Sequence, residues 1–241
     1  MIFLIIQLFE LKTTKISIKK IATFLKSNYT GKNFHVSSIS SLDNVKNNSI
    51  LFYSEMSDQN FNLKDTVNYD LKKLQNYKNI ILICDKETKK RLKNIPVLVS
   101  KNPRLDFSRV MMKFFVKDEF KPGIHSSSII EKNSTIGKNV YIGPHCYIGK
   151  NVKIGNNVKI LSNTSVFGKT EIGQNSVILS NTTIGSEGFG FIFDGTSSQH
   201  FPHVGSITIG KNVWIGSNST IDKSALDNTI ICDDVKIDTL V

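Results

Sequence analysis

Residues 136–160 read IGKNVYIGPHCYIGKNVKIGNNVKI, and an isoleucine occupies every sixth position of this stretch. A second small or apolar residue often follows four places later, as at Val140 and Cys146. Helices repeat about every 3.6 residues and strands about every 2, so neither explains a period of six. The aliphatic positions that share the register are Ile130, Ile136, Ile142, Ile148, Ile154, Ile160, Val166, Ile172, Ile178 and Ile184.

A coil made of three short strands does repeat every six residues, because each face of the coil then points one aliphatic side chain inward. The pattern therefore predicts a parallel β-helix whose core is this aliphatic register. Glycine and asparagine are frequent between the aliphatic positions. Both suit corners at which φ has to be positive. On this interpretation the repeated residues form a core and carry no chemistry.

The register is interrupted twice, and we expect function at those interruptions. Residues 185–207 read GSEGFGFIFDGTSSQHFPHVGSI, after which the period resumes at Ile209, Ile215 and Ile221. A shorter slip, DKSALDNT, separates Ile221 from Ile231. Insertions into a repeat array become loops on its outside, where binding groups are held by a rigid scaffold.

The N-terminal half has a different pattern, of alternating helical and strand signals. NIILICD, KETKKRLKN and IPVLVS, for example, indicate a strand, a helix and a strand. We expect a leader of unclear status over 1–16, an α/β domain over 17–115, a linker over 116–127, and an incomplete β-helix over 128–241 with an inserted loop at 185–207.

Composition narrows the function classes. The net charge is +11, but the lysines are spread through both halves without interleaved aromatic residues, which argues against nucleic-acid binding. Three isolated cysteines predict neither a disulfide framework nor a zinc site, and no metal is expected. The apolar run MIFLIIQLF is too short to cross a bilayer. A cytoplasmic protein without a transmembrane segment fits these features best.

The order of these segments resembles one family. An α/β domain, hexapeptide repeats, GSEGFGF, HFPHVGSITIGKNVWIGSNSTIDKSALDNTII and VKID together are similar to UDP-3-O-acylglucosamine N-acyltransferases of lipid A synthesis. The likeness runs from about Ser17 to Val241 and is densest from Gly185 to Asp238. Hexapeptide repeats alone would indicate only the wider acyltransferase superfamily.

The resemblance implies a left-handed β-helix and a homotrimer. It implies transfer of a 3-hydroxyacyl group from acyl carrier protein to the 2-amine of a UDP-sugar, without a cofactor. The family's general-base histidine follows a KID segment, which here is Lys236–Asp238, so that histidine is expected just beyond Val241. No catalytic base is then expected within 1–241, and the chain is predicted to be inactive. Asp238 is the candidate carboxylate for orienting that histidine.

Several positions depart from the family pattern. Lys223 and Ser224 replace arginine and glycine, and Thr239 replaces asparagine. In the first domain Phe52 matches an aromatic residue that holds uracil, but Glu55 and Asp58 replace asparagine and tyrosine. Carboxylates next to a diphosphate oppose its binding, so weak uridine nucleotide binding is expected.

The inserted loop supplies the remaining candidates for substrate contact, which are His200, His203, Phe189 and Phe191. Each has a plainer interpretation, because loop histidines are often only polar surface and loop aromatics often pin a loop to its scaffold. Two other functions stay open. One is a nucleotide-sugar acetyltransferase that uses acetyl-CoA, and the other is a non-catalytic scaffold.

Overall fold

The computed structural model of the protein describes residues 9–12, 14–54 and 71–241. The chain divides into two units, Met1–Glu119 and Phe120–Val241. Glu55 and Asp58, on which the expectation of weak uridine binding rests, lie outside the described residues.

The first unit contains a four-stranded parallel sheet, formed in this order by the strands Ser38–Ile39, Ser49–Tyr53, Ile81–Cys84 and Val97–Val99. Its elements are β1 (Phe9–Leu11), β2 (Ile16–Ser17), α1 (Ile18–Phe24), β3 (His35–Val36), β4 (Ser38–Ile39), β5 (Ser49–Tyr53), a 3₁₀ helix (Leu71–Asn76), β6 (Ile81–Cys84), α2 (Lys86–Arg91), β7 (Val97–Val99), α3 (Pro103–Val110), a π-helical turn (Met111–Phe115) and β8 (Val116–Asp118). None of the described helices is long and apolar enough to cross a membrane.

Local sequence explains where the helices of this unit begin. The side chains of Ser17, Asp85 and Asn102 accept hydrogen bonds from backbone N–H groups in the first turns of α1, α2 and α3. Such caps satisfy donors that a helix leaves unpaired at its start. Within the expected leader, β1 pairs antiparallel with β8.

The second unit is a left-handed parallel β-helix made of three parallel sheets. Its strands are β9 (Gly123–Ile124), β10 (Ile129–Ile130), β11 (Thr135–Ile136), β12 (Tyr141–Ile142), β13 (Tyr147–Ile148), β14 (Lys153–Ile154), β15 (Lys159–Ile160), β16 (Ser165–Val166), β17 (Thr170–Ile172), β18 (Val177–Ile178), β19 (Thr183–Ser186), β20 (Phe191–Phe193), β21 (Ser198–His200), β22 (Ser206–Ile209), β23 (Trp214–Ile215), β24 (Thr220–Asp222), β25 (Asn228–Ile231) and β26 (Lys236–Ile237). The expected linker, 116–127, contains β8 and β9.

The repeated aliphatic residues form the core of this unit, as the register predicts. Ile142 pairs with Ile160, and Ile160 pairs with Ile178, so each residue stacks directly on its counterpart in the next coil. All three side chains are fully buried. At the two ends of the stack, Ile130 and Ile237 are only partly buried but still pack against the core.

Asparagine, rather than glycine, takes the positive φ at the corners of the coils. Outside the two interruptions, the residues concerned recur every six positions. All but His145, Lys169, Asp234 and Leu240 are asparagines: Asn133, Asn139, Asn151, Asn157, Asn163, Asn175, Asn181, Asn212 and Asn218. Asparagine tolerates this conformation better than most residues with a side chain. The many asparagines of the second unit therefore have a structural reason.

The corner asparagines also bond to one another between coils. Asn157 donates through Nδ2 to Oδ1 of Asn175 over 3.0 Å, and its own Oδ1 accepts from Asn139 over 3.3 Å.

The glycines of the coils have another role. A Cβ at Gly155 would lie 2.7 Å from the backbone nitrogen of Gln174 in the next coil, so glycine permits the coils to approach closely.

Asn157 allows the corner conformation to be tested separately from the side-chain bonds. At φ +57°, Asn157→Ala should lower the free energy of unfolding by roughly 1–2 kcal/mol, because an alanine Cβ is disfavoured there. Asn157→Gly removes the same side-chain bonds but has no Cβ, so it should cost less. Urea unfolding followed by the fluorescence of Trp214, the single tryptophan, which lies on β23, would measure both.

If Asn157→Gly is as destabilising as Asn157→Ala, the bonds between corner asparagines, and not the backbone conformation, explain why asparagine is used.

Candidate functional site

The two interruptions of the repeat lie against each other. The backbone N–H groups of Val204 and Gly205, in the inserted loop, donate to the carbonyl oxygens of Ala225 and Ser224 over 2.8 and 3.1 Å. The hydroxyl of Ser186 donates to the carboxylate of Asp222. The segments that interrupt the register are therefore joined into one structure on the outside of the β-helix.

A cavity of about 590 Å³ lies where these segments meet. It is lined by Phe167, Gly168, Lys169, Gly185, Ser186, Glu187, His203, Val204, Gly205 and Lys223. The volume is within the range of about 300–1,000 Å³ that is usual for small-molecule sites. Two lysines, a histidine and a carboxylate thus face one space.

His203 is held at the cavity by two backbone hydrogen bonds. The N–H of Gly188 donates to its Nδ1 over 2.8 Å, and its own N–H donates to Oε1 of Glu187 over 2.8 Å. Because a backbone N–H can only donate, Nδ1 must be unprotonated, and we assign the ring proton of the neutral imidazole to Nε2. In this arrangement His203 is a hydrogen-bond donor rather than a proton acceptor at Nε2.

Two glycines of the inserted loop make room for this imidazole. A Cβ at Gly188 would lie 2.3 Å from Cε1 of His203, and a Cβ at Gly190 would lie 2.9 Å from its Nε2. Both distances are far below ordinary contact. The glycines of the EGFGF motif therefore serve the close approach of a histidine ring.

Glu187 connects the two loop histidines. The backbone N–H of His203 donates to the Glu187 carboxylate and lowers the pKa of Glu187 below its usual value. The nearby His200 and Lys223 lower the same pKa further. Oε1 of Glu187 lies 3.4 Å from Nε2 of His200, within ion-pair distance. His200 thus has an orienting carboxylate, which the sequence did not reveal.

The aromatic candidates, Phe189 just before β20 and Phe191 on it, are not among the residues that line the cavity. Strands β20 and β21 pair antiparallel, and Asp194 accepts several hydrogen bonds across their turn. These bonds hold the pKa of Asp194 well below its usual range. Phe189 is 93% exposed, and its ring centroid lies 5.0 Å from that of Phe191. Both rings are available to an apolar ligand or partner.

Two further candidates are placed elsewhere. Asp238 is exposed in the turn after β26, where its Oδ1 accepts from the N–H of Thr239 over 2.8 Å. Phe52 belongs to the first unit and is partly buried, with its ring centroid 4.9 Å from that of Phe107. Neither lines the cavity of the second unit. Their roles as orienting carboxylate and uracil contact remain predictions.

Four polar residues of the cavity lining, Lys169, Ser186, Glu187 and Lys223, were not singled out for binding from the sequence. Ser186 and Glu187 precede the glycines of the loop and carry no distinctive spacing. Lys169 did leave a signal, because it occupies a corner position, at φ +58°, where most other coils have asparagine. Its Nζ donates to the carbonyl oxygen of Val204 over 2.8 Å and so ties the inserted loop to the scaffold. Within the described residues, no group of three or more His, Cys, Asp or Glu side chains is placed to hold a metal ion.

Comparison with known families agrees with the repeat. The model described as "Bacterial transferase hexapeptide (six repeats)" matches residues 127–162 and 151–186, and "Hexapeptide repeat of succinyl-transferase" matches 206–239. The second unit thus has the hexapeptide repeats that define a class of bacterial transferases.

Within this class, the resemblance to UDP-3-O-acylglucosamine N-acyltransferases is confirmed over part of the chain. A relative with that name from Legionella pneumophila (strain Philadelphia 1) is 47% identical over 70 residues, which are 29% of this chain and 20% of the relative. One from Coxiella burnetii (strain Dugway 5J108-111) is 47% identical over 76 residues, 31% of this chain and 22% of the relative. The aligned part of the chain spans about a fifth of the length of these relatives.

A solved structure was also compared. The UDP-N-acetylglucosamine acyltransferase of Bacteroides fragilis 9343 aligns over 48% of this chain and 46% of its own, with 28% identity and a TM-score of 0.37. The fold rests on the strand pairing described above.

The assignment of the His203 tautomer gives a direct test. Nitrogen NMR of the imidazole should show neutral His203 with its proton on Nε2, because Nδ1 accepts from Gly188. Gly188→Ala should displace the ring and abolish that preference. Ile192→Ala, at an exposed position of the same loop, is the control for general disturbance of the loop.

A wild-type ring with its proton on Nδ1 would contradict the geometry of the site.

Proposed function

We propose that the chain carries the substrate cavity of an N-acyltransferase in lipid A synthesis. The reaction would move a 3-hydroxyacyl group from acyl carrier protein to the 2-amine of UDP-3-O-acylglucosamine. The observation that carries this proposal is the cavity formed where the two interruptions meet. Relatives named for this activity, and the hexapeptide repeats of bacterial transferases, support it.

The charges around the cavity suit an anionic substrate. Lys169, Lys223 and the Nε2–H of His203 are donors or cations at one space, and Glu187 is the carboxylate in its lining. A UDP-sugar carries a diphosphate, which such donors attract. We propose that these groups contact the polar part of the substrate, and that the exposed Phe189 and Phe191 contact its acyl chains or the neighbouring subunit of a homotrimer.

Acyl transfer to an amine needs a base for the amine proton and donors for the oxyanion of the tetrahedral intermediate. His203 lacks a free acceptor nitrogen toward the cavity, so it does not fit the role of base. His200 has the orienting carboxylate Glu187, but both side chains are near half exposed, on a loop. We therefore propose that the base is a histidine beyond residue 241, and that residues 1–241 by themselves have little activity.

The test is turnover of UDP-3-O-acylglucosamine with 3-hydroxyacyl carrier protein as the donor. A version extended by the histidine and coils that the resemblance expects should exceed the 241-residue chain by more than about 10²-fold, since general-base catalysis commonly contributes about 10²–10⁴-fold. Acetyl-CoA should not replace the acyl carrier protein. Comparable rates for the two versions would contradict the assignment of the base and favour His200, which His200→Gln would then test.

The cavity is tested in the same assay with Lys223→Gln in the extended version. The KM for the UDP-sugar should rise roughly three- to tenfold, with little change in kcat, because a partly exposed cation contributes a screened attraction to binding. Lys132→Gln, an exposed lysine outside the cavity, is the matched control. If the two changes had equal effects on KM, the cavity would not be the place where the substrate binds. That result would contradict the role of the cavity but not the proposed reaction.

A further inference from the structure

The first unit has a cavity of its own, of about 500 Å³. Its lining includes residues that immediately precede β6 and β7, together with the loop after α1 and the end of the 3₁₀ helix. It therefore lies at the amino ends of parallel strands. Phe52, where the resemblance expects uracil, is not among the lining residues.

The floor of this cavity is apolar and fixed. Leu74, Ile80 and Ile95 line it and are buried in one core cluster. These three side chains are already buried, so a flat apolar group resting there would remove mainly its own surface from water, at about 25 cal/mol per Å². The floor thus favours a ligand with a ring over a purely polar one.

One wall is formed by an immobilised tyrosine. The hydroxyl of Tyr29 donates to the carbonyl oxygen of Lys32 over 2.9 Å, which fastens the ring across its own loop. A Cβ at Gly31 would lie 2.5 Å from that hydroxyl oxygen, so the ring packs directly on a glycine. Tyr77, which is 37% exposed, is a second ring in the lining. Aromatic walls of this kind pack well against planar ligands.

The charge at the rim is positive. Lys32 and Lys89 both line the cavity, and no lining residue among those described is acidic. Neither lysine forms a salt bridge with a carboxylate in the part of the chain that the structure describes. Further lining residues carry side-chain amides, at Gln75, Asn79 and Asn94. Two cations and several amides match a dianion better than a neutral or cationic group.

We infer that this cavity binds an aromatic phosphate, with a size between phenyl phosphate and a mononucleotide. The ring would lie on the aliphatic floor against Tyr29 and Tyr77, and the phosphate dianion would face Lys32 and Lys89. The inference does not depend on the proposed acyl transfer, because its residues all belong to the first unit.

Calorimetric titration of the whole chain with phenyl phosphate tests the inference. Phenol and inorganic phosphate are the controls for the ring and the anion alone, and phenyl phosphate should bind more tightly than either. The double variant Lys32→Gln/Lys89→Gln should weaken binding by roughly tenfold or more, because it removes two charge-assisted contacts. Lys93→Gln/Lys101→Gln removes the same charge from exposed positions outside the lining and should leave affinity nearly unchanged.

Adenosine and uridine monophosphates are further arms, and tighter binding of either than of phenyl phosphate would support a mononucleotide as the ligand. The inference is overturned if phenyl phosphate does not bind at millimolar concentration. It is also overturned if inorganic phosphate binds equally well, or if both double variants weaken binding equally. Circular dichroism of the variants establishes that each is folded, which is expected because all four lysines are exposed.

Discussion

Stacking of aliphatic side chains between successive coils is the interaction on which the second unit depends. Where no interruption intervenes, each inward residue lies on its counterpart 18 positions away, as Ile142 lies on Ile160. Burial of such a side chain contributes about 1.5–3 kcal/mol, and the contribution recurs at every coil. The stack requires coils to approach closely and to turn sharply, which explains the glycines beside the core and the asparagines at positive φ. A β-helix of this kind is stabilised by contacts between neighbours in the array.

The same stack determines where a site can form. Extra residues cannot enter the core, so an insertion must leave the coil and return in register. This occurs around the inserted loop, where Thr183 and Ile184 of β19 pair with Thr220 and Ile221 of β24. The second, shorter interruption follows β24 and leaves the β-helix on the coil next to that of β19. Two departures on adjacent coils are then close enough to exchange backbone hydrogen bonds, and the cavity with Lys169, His203 and Lys223 lies between them.

Much of this architecture follows from the sequence, because a strict period reports a local geometry that every coil repeats. The register from Ile130 to Ile184 predicts the core, and its two breaks predict where function lies. The contents of the site follow less well. The contact of Glu187 with His200 and the contact of Gly188 with His203 join residues far apart on the loop, and no period encodes them. The corner lysine Lys169 shows that a departure from the repeated residue type is itself a signal.

The two interruptions of the repeat form one structure, joined by backbone hydrogen bonds. Amide hydrogen exchange tests this joining, because the N–H groups of Val204 and Gly205 bond to Ala225 and Ser224 and to nothing within their own loop. These two amides should exchange slowly, at rates closer to those of β22 than to those of the exposed residues around the hairpin turn. Exchange as fast as in the hairpin turn would contradict it, since the two segments would then not be joined.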